Sequence, residues 1–396
     1  MASKDNTIIL VGGGIGGLAA ALAMSQAGFN VTLLEQAAEL GEIGAGIQLG
    51  PNAFAAMDAL GCGPRARSRA VYNTELLMMD ALDEYEIGRL DVGEDFRKHY
   101  GNPYAVIHRA DIHLSIFEEA QTHDTIQVVT DCRIVEVDIG ENGCKVKDQK
   151  GREFEGAAIV GCDGVKSVVR EKLLGDTHRV SGHVVYRAVC PADKYPEDLK
   201  WNAATLWAAP NGHIVHYPLR GGEEYNIVVT FHSRQQEEWS VKEGARDEIT
   251  SYFKDISPKP RQLIELANTW QRWATADRDP TTKWGEGRAT LLGDAAHPPL
   301  QYMAQGACMA LEDAVVLREC MRVCDRDIEK AFRMYETIRI PRTARIQLSA
   351  REMGRLFHAK GAERLVRNSL WKGRTQEEYR QRLDWLYGWT VEKCLD

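Results

Sequence analysis

Near its start the chain carries a segment with few structural solutions. The apolar run Asn6 to Val11 (NTIILV) leads directly into Gly12-Gly13-Gly14-Ile15-Gly16-Gly17, followed by the Ala/Leu-rich stretch Leu18 to Ala27 and Gly28. A second apolar run, Asn30 to Glu35 (NVTLLE), ends on an acid. Short, wholly apolar strands are buried on both faces of a parallel sheet, and Gly28 is placed to end the intervening helix. The pattern is strand, GxGxxG turn, helix, strand. Gly12 makes the tight turn, Gly14 lets the backbone approach a pyrophosphate, and Gly17 lets helix and strand pack closely. The pyrophosphate then meets unpaired amides at the positive end of the helix dipole. Glu35 lies 23 residues beyond Gly12, where a carboxylate accepts from the hydroxyls of an adenosine ribose and disfavours a 2′-phosphate. FAD and NAD both satisfy this fingerprint, so the choice between them rests on residues further along.

Composition limits the partners. The 396 residues are 44% hydrophobic and 27% charged, the balance of a globular protein. Lys+Arg 49 against Asp+Glu 57 gives a net charge of -8, which argues against nucleic acid as a partner. No apolar run reaches the roughly 18 residues of a spanning helix, and MASKDN enters the first strand without a secretory h-region. The expectation is a cytoplasmic protein with no integral membrane association. Nine scattered cysteines, with no CxxC pair, read as buried free thiols, and Cys320 and Cys324 lack companions for a zinc site.

Three further segments bear on the nucleotide. Gly161-Cys162-Asp163-Gly164 follows the apolar strand Ala157 to Val160. The buried strand Ala289 to Leu292 ends in Gly293-Asp294-Ala295-Ala296-His297-Pro298, and Gln305-Gly306-Ala307 opens a helix. An Asp at a strand tip can hold a ribityl hydroxyl, and free amides near Gly306 can sit under a ring carrying negative charge. Arg109 adds a cation after the strand-like stretch Tyr104 to Ile107.

GGGIGG with Glu35, Asp163-Gly164, and GDAAHP at Gly293 to Pro298, in that order and spacing, resemble the single-component class A FAD-dependent aromatic hydroxylases of the p-hydroxybenzoate hydroxylase fold. The likeness runs from about residue 6 to about residue 350. It implies tightly bound FAD, with the pyrophosphate at Gly12, Gly14, Gly16 and Gly17 and the ribose at Glu35. Asp294 would hold the ribityl chain, with Arg109, Asp163, Gly306 and Ala307 also against the cofactor. NADH or NADPH would be a transient reductant. The absence of a second GxGxxG fits a family without a separate NAD(P)H domain. The family chemistry implied is delivery of OH from a C4a-hydroperoxyflavin formed with O2. The stretches GAGIQLGPN (44–52) and RATLLGDAAHPPLQYMAQGACMALED (288–313) look most like 3-hydroxybenzoate 6-hydroxylases, which make gentisate. The 6-hydroxynicotinate hydroxylases commonly carry His where this chain has Gln48, and salicylate hydroxylases differ more after His297-Pro298. A flavin oxidase or reductase, or a non-catalytic nucleotide sensor, would share Gly12 to Glu35.

The implied fold is α/β: a discontinuous FAD-binding Rossmann-like domain (1–75, 101–180 and 275–340), a β-rich substrate domain (76–100 and 181–274) and a C-terminal helical region (341–396). In the strand from Gly212 to Leu219, His213, Val215 and Tyr217 share one face and His216 lies on the other. Electrophilic hydroxylation needs an electron-rich ring, and a phenol ionises only near pH 10, so a nearby base lowers the barrier. His213 is the candidate to accept the hydroxyl proton of a small aromatic carboxylate, with Gln301 orienting it. Tyr217 and Tyr104 are candidates for the carboxylate end, Gln48 completes the candidate catalytic set, and Val215, Leu300 and Met303 are candidates to exclude water. From Pro341 the chain reads as helices Ile346 to Lys360, Glu363 to Trp371 and Gln376 to Val391, rich in arginine and aromatics. They are expected to pack on the acidic remainder or to mediate a homodimer.

Overall fold

The computed structural model describes residues 6–41, 44–235, 237–267 and 269–395. The first five residues, part of the N-terminal reading above, lie outside it. Thr7–Val11 sits at the centre of a five-stranded parallel sheet, between Ala158–Gly161 and Asn30–Leu34, with Ala289–Leu291 and Ile126–Val129 at the edges. Ile8, Ile9 and Leu10 are fully buried, and such side chains each contribute roughly 1.5–3 kcal/mol. The helix Ile15–Gln26 covers this sheet and packs against the helix Gly306–Val323. All four strands predicted for this sheet from sequence are present, within a residue or so of their expected ends.

The second large sheet has eight strands in the order 240–244, 270–277, 179–191, 224–232, 212–219, 203–209, 75–80, 86–91. Its pairings are antiparallel except that Ala203–Ala209 runs parallel to Glu75–Asp80. Alternation assigns its two faces. Ile214 packs with Trp207, Val229, Phe231 and Trp270 in one core, and His216 Nδ1 lies 2.8 Å from the Tyr195 hydroxyl. His213, Val215 and Tyr217 face the other way, toward the first sheet, as the period of two requires.

The C-terminal region differs from the sequence expectation. One helix runs from Ile328 to Phe357, straight through Pro341, rather than starting at Ile346. Proline removes one helical donor, but Arg339 and Arg342 on either side are held in ion pairs with Glu312 and Asp313. The Thr343 hydroxyl also donates to the Arg339 carbonyl at 3.0 Å. The final helix, Gln376–Tyr387, ends at Gly388 rather than at Val391. The arginines of this region pair with acids elsewhere: Arg351 with Asp277, and Arg364 and Arg367 with Asp80. All nine cysteines are free and eight are buried. Among the described residues, no helix is long and apolar enough to cross a membrane.

Candidate active site

The glycine turn is built as its spacing requires. Gly12 has φ +104°, and a Cβ there would sit 2.5 Å from the Cys162 carbonyl oxygen. A Cβ at Gly17 would sit 1.9 Å from the Gly12 oxygen, and one at Gly16 would crowd Leu292 and Ala310. Gly14 is the residue before the helix, so the first amides of Ile15–Gln26 open onto a cavity of about 330 Å³. Glu35 stands at the end of its strand, accepting from Gly13 N at 2.6 Å and Ala37 N at 2.7 Å. His113 Nε2 lies 2.8 Å from the Gly13 oxygen and pins the same turn. The sequence reading did not pick it out.

The rest of the wall comes from three separate later stretches of the chain. Cys162, Gly164, Asp294, Gln305, Gly306, Ala307 and Arg109 line the cavity with Gly14 and Gly16. Gly306 starts an 18-residue helix, placing a second helix N-terminus on this space. Asp294 is exposed on the turn after its strand. Asp163 lies outside the lining, because its carboxylate accepts from Ser167 Oγ at 2.5 Å and Val168 N at 2.8 Å and so starts the helix Val168–Leu174. Burial pushes its carboxyl up, against these hydrogen bonds. Two glycines that tolerate no side chain, two helix N-termini and a strand-end acid form a cradle that fits an extended dinucleotide.

Gln48, His213, Val215, Gln301 and Ala304 line both this cavity and a larger one of about 690 Å³ that opens beside it. The larger cavity adds Tyr104, Leu76, Met78, Leu206, Met303 and Tyr387, so an apolar chamber meets the dinucleotide cradle at a polar junction. The Tyr104 hydroxyl donates to Gln48 Oε1. Gln301 Nε2 donates to Thr230 Oγ1 at 3.3 Å, and Thr230 pairs with His213 across the sheet. Burial drives the His213 imidazole down to about 3, so it is a neutral acceptor at ordinary pH. Burial raises Tyr104 and Tyr217, keeping both phenols protonated.

Of the predicted substrate-side residues, Gln48, Tyr104, His213 and Gln301 come together. Tyr217 is one step away, on the dinucleotide side against Gly46. Of the expected apolar shield, Val215 and Met303 line the chamber and Leu300 packs behind it with Tyr302. Sequence reasoning missed Arg187, which lines the cradle near Arg109, and Tyr387, which stands edge-on to Tyr104 at 6.2 Å. Arg187 is a cation in the middle of an otherwise apolar stretch of its strand, a signal available in HVVYRAVC. Tyr387 had no local signal.

A dinucleotide cradle that abuts an apolar chamber with a buried imidazole is the arrangement a flavoprotein of the hydroxylase type requires. The FAD binding domain family model matches residues 5–345. A 3-hydroxybenzoate 6-hydroxylase of Polaromonas naphthalenivorans (strain CJ2) is 59% identical over 99% of this chain and 98% of its own length. One from Klebsiella oxytoca is 56% identical over 100% and 99%. The structure of Klebsiella pneumoniae HpxO complexed with FAD and uric acid superposes with a TM-score of 0.84 at 24% identity, covering 98% of this chain and 96% of that one. The chain belongs to the FAD-dependent aromatic hydroxylases, and it is a flavoprotein monooxygenase.

Proposed function

We propose that this enzyme hydroxylates 3-hydroxybenzoate para to its hydroxyl group, giving gentisate (2,5-dihydroxybenzoate), with O2 and with NADH or NADPH as transient reductant. The observation that carries this reading is the meeting of His213, Gln301, Gln48 and Tyr104 at the mouth of the cradle. The 3-hydroxybenzoate 6-hydroxylases noted above support the choice of ring. Bound FAD supplies the two-electron reduction and the activated oxygen. The chain's residues do the rest. Neutral His213 takes the proton of the substrate hydroxyl and makes the ring electron-rich, while Gln301, fixed by Thr230, orients that hydroxyl. Tyr104, by donating to Gln48 Oε1, presents the Gln48 Nε2 donors to the carboxylate end, and Tyr217 donates to it from the dinucleotide side of the junction. Val215, Leu206 and Met303 keep water from the reacting centre.

On the same reading Gly14, Gly16, Gly306 and Ala307, which line the cavity, would hold FAD at its phosphates and ring and Asp294 its ribityl chain. Gly12 and Gly17 shape the turn behind them, and Glu35, which like them lies outside that lining, would take the ribose. The domain division given above, a cytoplasmic setting and a homodimer belong to this proposal. The test follows NADH and NADPH oxidation with 3-hydroxybenzoate, salicylate and 6-hydroxynicotinate, with products identified. Coupled gentisate formation from the first alone is expected. Silence from 3-hydroxybenzoate ends the substrate assignment.

A further inference from the structure

His213 is not the end of the polar path that begins at the chamber. Its Nδ1 lies 2.8 Å from Nε2 of His358, and both rings are buried. His358 is held at the end of the helix Ile328–Phe357. Its N–H bonds Gly354 O at 3.2 Å and its carbonyl accepts from Asn211 N at 3.0 Å. Its Nδ1 is buried and has no hydrogen-bond partner in the structure. His358 also belongs to a cluster. One nitrogen each from His183, His232 and His358 lies within 4.8 Å of the others. His183 and His232 pair across the sheet, with their Nε2 atoms 2.6 Å apart. The Tyr302 hydroxyl lies 2.6 Å from His183 Nδ1. His183 and His358 are buried, and His232 is exposed. Four imidazoles therefore reach from the substrate chamber to solvent.

The hydrogen bonds are satisfied by a set of tautomers in which Tyr302 donates to His183. If His213 is to accept through Nε2, its proton is on Nδ1 and is donated to Nε2 of His358. The His358 proton is then on Nδ1, on a ring whose centre lies 5.7 Å from those of both His183 and His232. Tyr302 donates to His183 Nδ1, so His183 donates from Nε2 to Nε2 of His232, whose remaining proton faces water. Every donor points outward.

We propose that His358 and the His183–His232 pair form an imidazole relay that carries the substrate's hydroxyl proton from His213 to solvent. The inference rests on the reading in which His213 accepts that proton. As the substrate O–H breaks, an N–H forms at His213 Nε2. The Nδ1–H of His213 breaks as one forms at His358 Nε2. The His232 ring first turns its Nε2 from His183 toward His358. The His358 Nδ1–H then breaks as an N–H forms at His232 Nε2, directly or through one water, and the His232 Nδ1–H breaks to solvent. The phenol becomes a phenolate and one proton leaves, with each ring neutral at the end. Burial explains why a relay is needed: an imidazolium left beside the chamber is costly, and the proton must move on. The charged groups facing the outer pair, Arg179 toward His183 and Lys360 toward His232, are both cations; they lower the proton affinity of that pair, so a proton that reaches it is released to water rather than held. His358 acts through His213 and is a positioning residue.

The test uses FAD-loaded enzyme without O2, mixed rapidly with 3-hydroxybenzoate in weak buffer containing a pH-indicator dye. Phenolate absorbance and proton release are followed together. In the unsubstituted enzyme the two signals rise together. His358→Asn is expected to slow both by roughly tenfold or more with substrate affinity within about twofold. His232→Gln, at an exposed position that does not threaten folding, is expected to slow release of the proton, and added imidazole should restore it. Unsubstituted proton kinetics in both variants, with gentisate still formed, overturn the relay and leave the substrate assignment standing. No coupled product from unsubstituted enzyme removes the substrate assignment and the relay together. A stoichiometric Zn²⁺ complex that is lost in His232→Gln overturns the relay in favour of a metal site.

Discussion

His297 Nε2 lies 2.6 Å from Asp313 Oδ2, and both side chains are fully buried. The contact ties the turn that carries Asp294 to the helix that begins at Gly306, so two parts of the cofactor cradle move as one. Arg339 holds the other carboxylate oxygen at 2.6 Å, and Gly293 N donates to Oδ2 at 3.1 Å.

This carboxylate gives a pH prediction. Burial alone raises Asp313, yet His297 and Arg339 bring it down to about 2. An unfolded aspartate titrates near about 3.9. The folded value is the lower, so the stabilisation is complete above about pH 4 and is lost as pH falls toward about 2. Asp313→Asn should cost about 3–5 kcal/mol, because it leaves Arg339 short of a buried counter-charge. Urea unfolding at neutral pH and at pH about 3 checks both statements. The variant should be less stable at neutral pH and lose less on acidification. Equal losses in both proteins would refute the assignment.

Gly17→Ala drives a methyl to within 1.9 Å of the Gly12 oxygen. The turn and the helix must separate, at a cost of about 1–3 kcal/mol. The expected result is a folded protein with reduced flavin content, read from the flavin-to-protein absorbance ratio. An unchanged ratio would mean that the close approach of helix and turn is dispensable.

His213→Ala removes the imidazole acceptor at the chamber. Hydroxylation should slow by about 100-fold or more, while reduction of bound FAD by NAD(P)H changes little. Stopped-flow measurement of the two half-reactions separates them. Parallel loss of both would rule out a base role.

Much of the nucleotide half was legible because its signals are contiguous. Gly12 to Glu35 carries strand, turn, helix and acid within one short stretch, and its geometry is dictated by local sterics. The face shared by His213, Val215 and Tyr217 was equally legible, since alternation along a strand needs no tertiary knowledge. His358 was not, because it meets His213 from 145 residues away. The fate of Asp163 was decided by Ser167, whose hydroxyl competes for the carboxylate. The continuation through Pro341 is accompanied by buried ion pairs from the flanking Arg339 and Arg342 to Glu312 and Asp313, acids that lie 26 to 30 residues upstream and cannot be matched to them from local sequence.

Asp80 supplies a stability test for the C-terminal helices. Its Oδ2 accepts from Arg364 at 2.7 Å and Arg367 at 2.8 Å, and Arg367 is fully buried. Asp80→Ala strands that guanidinium, at a cost of about 3–5 kcal/mol. Hydrogen exchange should quicken in residues 361–371, whose Leu370 and Trp371 line the chamber. Protection equal to that of the unsubstituted enzyme would show that apolar packing alone docks this helix.

The chamber wall draws Gln48, Tyr104, His213, Gln301 and Tyr387 from five separated stretches of chain, and strand 75–80 enters the eight-stranded sheet parallel to strand 203–209 from well over a hundred residues upstream. No contiguous cassette therefore encodes substrate choice. Exchanging one segment with a relative would import a fraction of a binding surface into a sheet whose neighbours were selected for another. Change of specificity in such an architecture proceeds through single side chains, each compatible with strands it does not belong to.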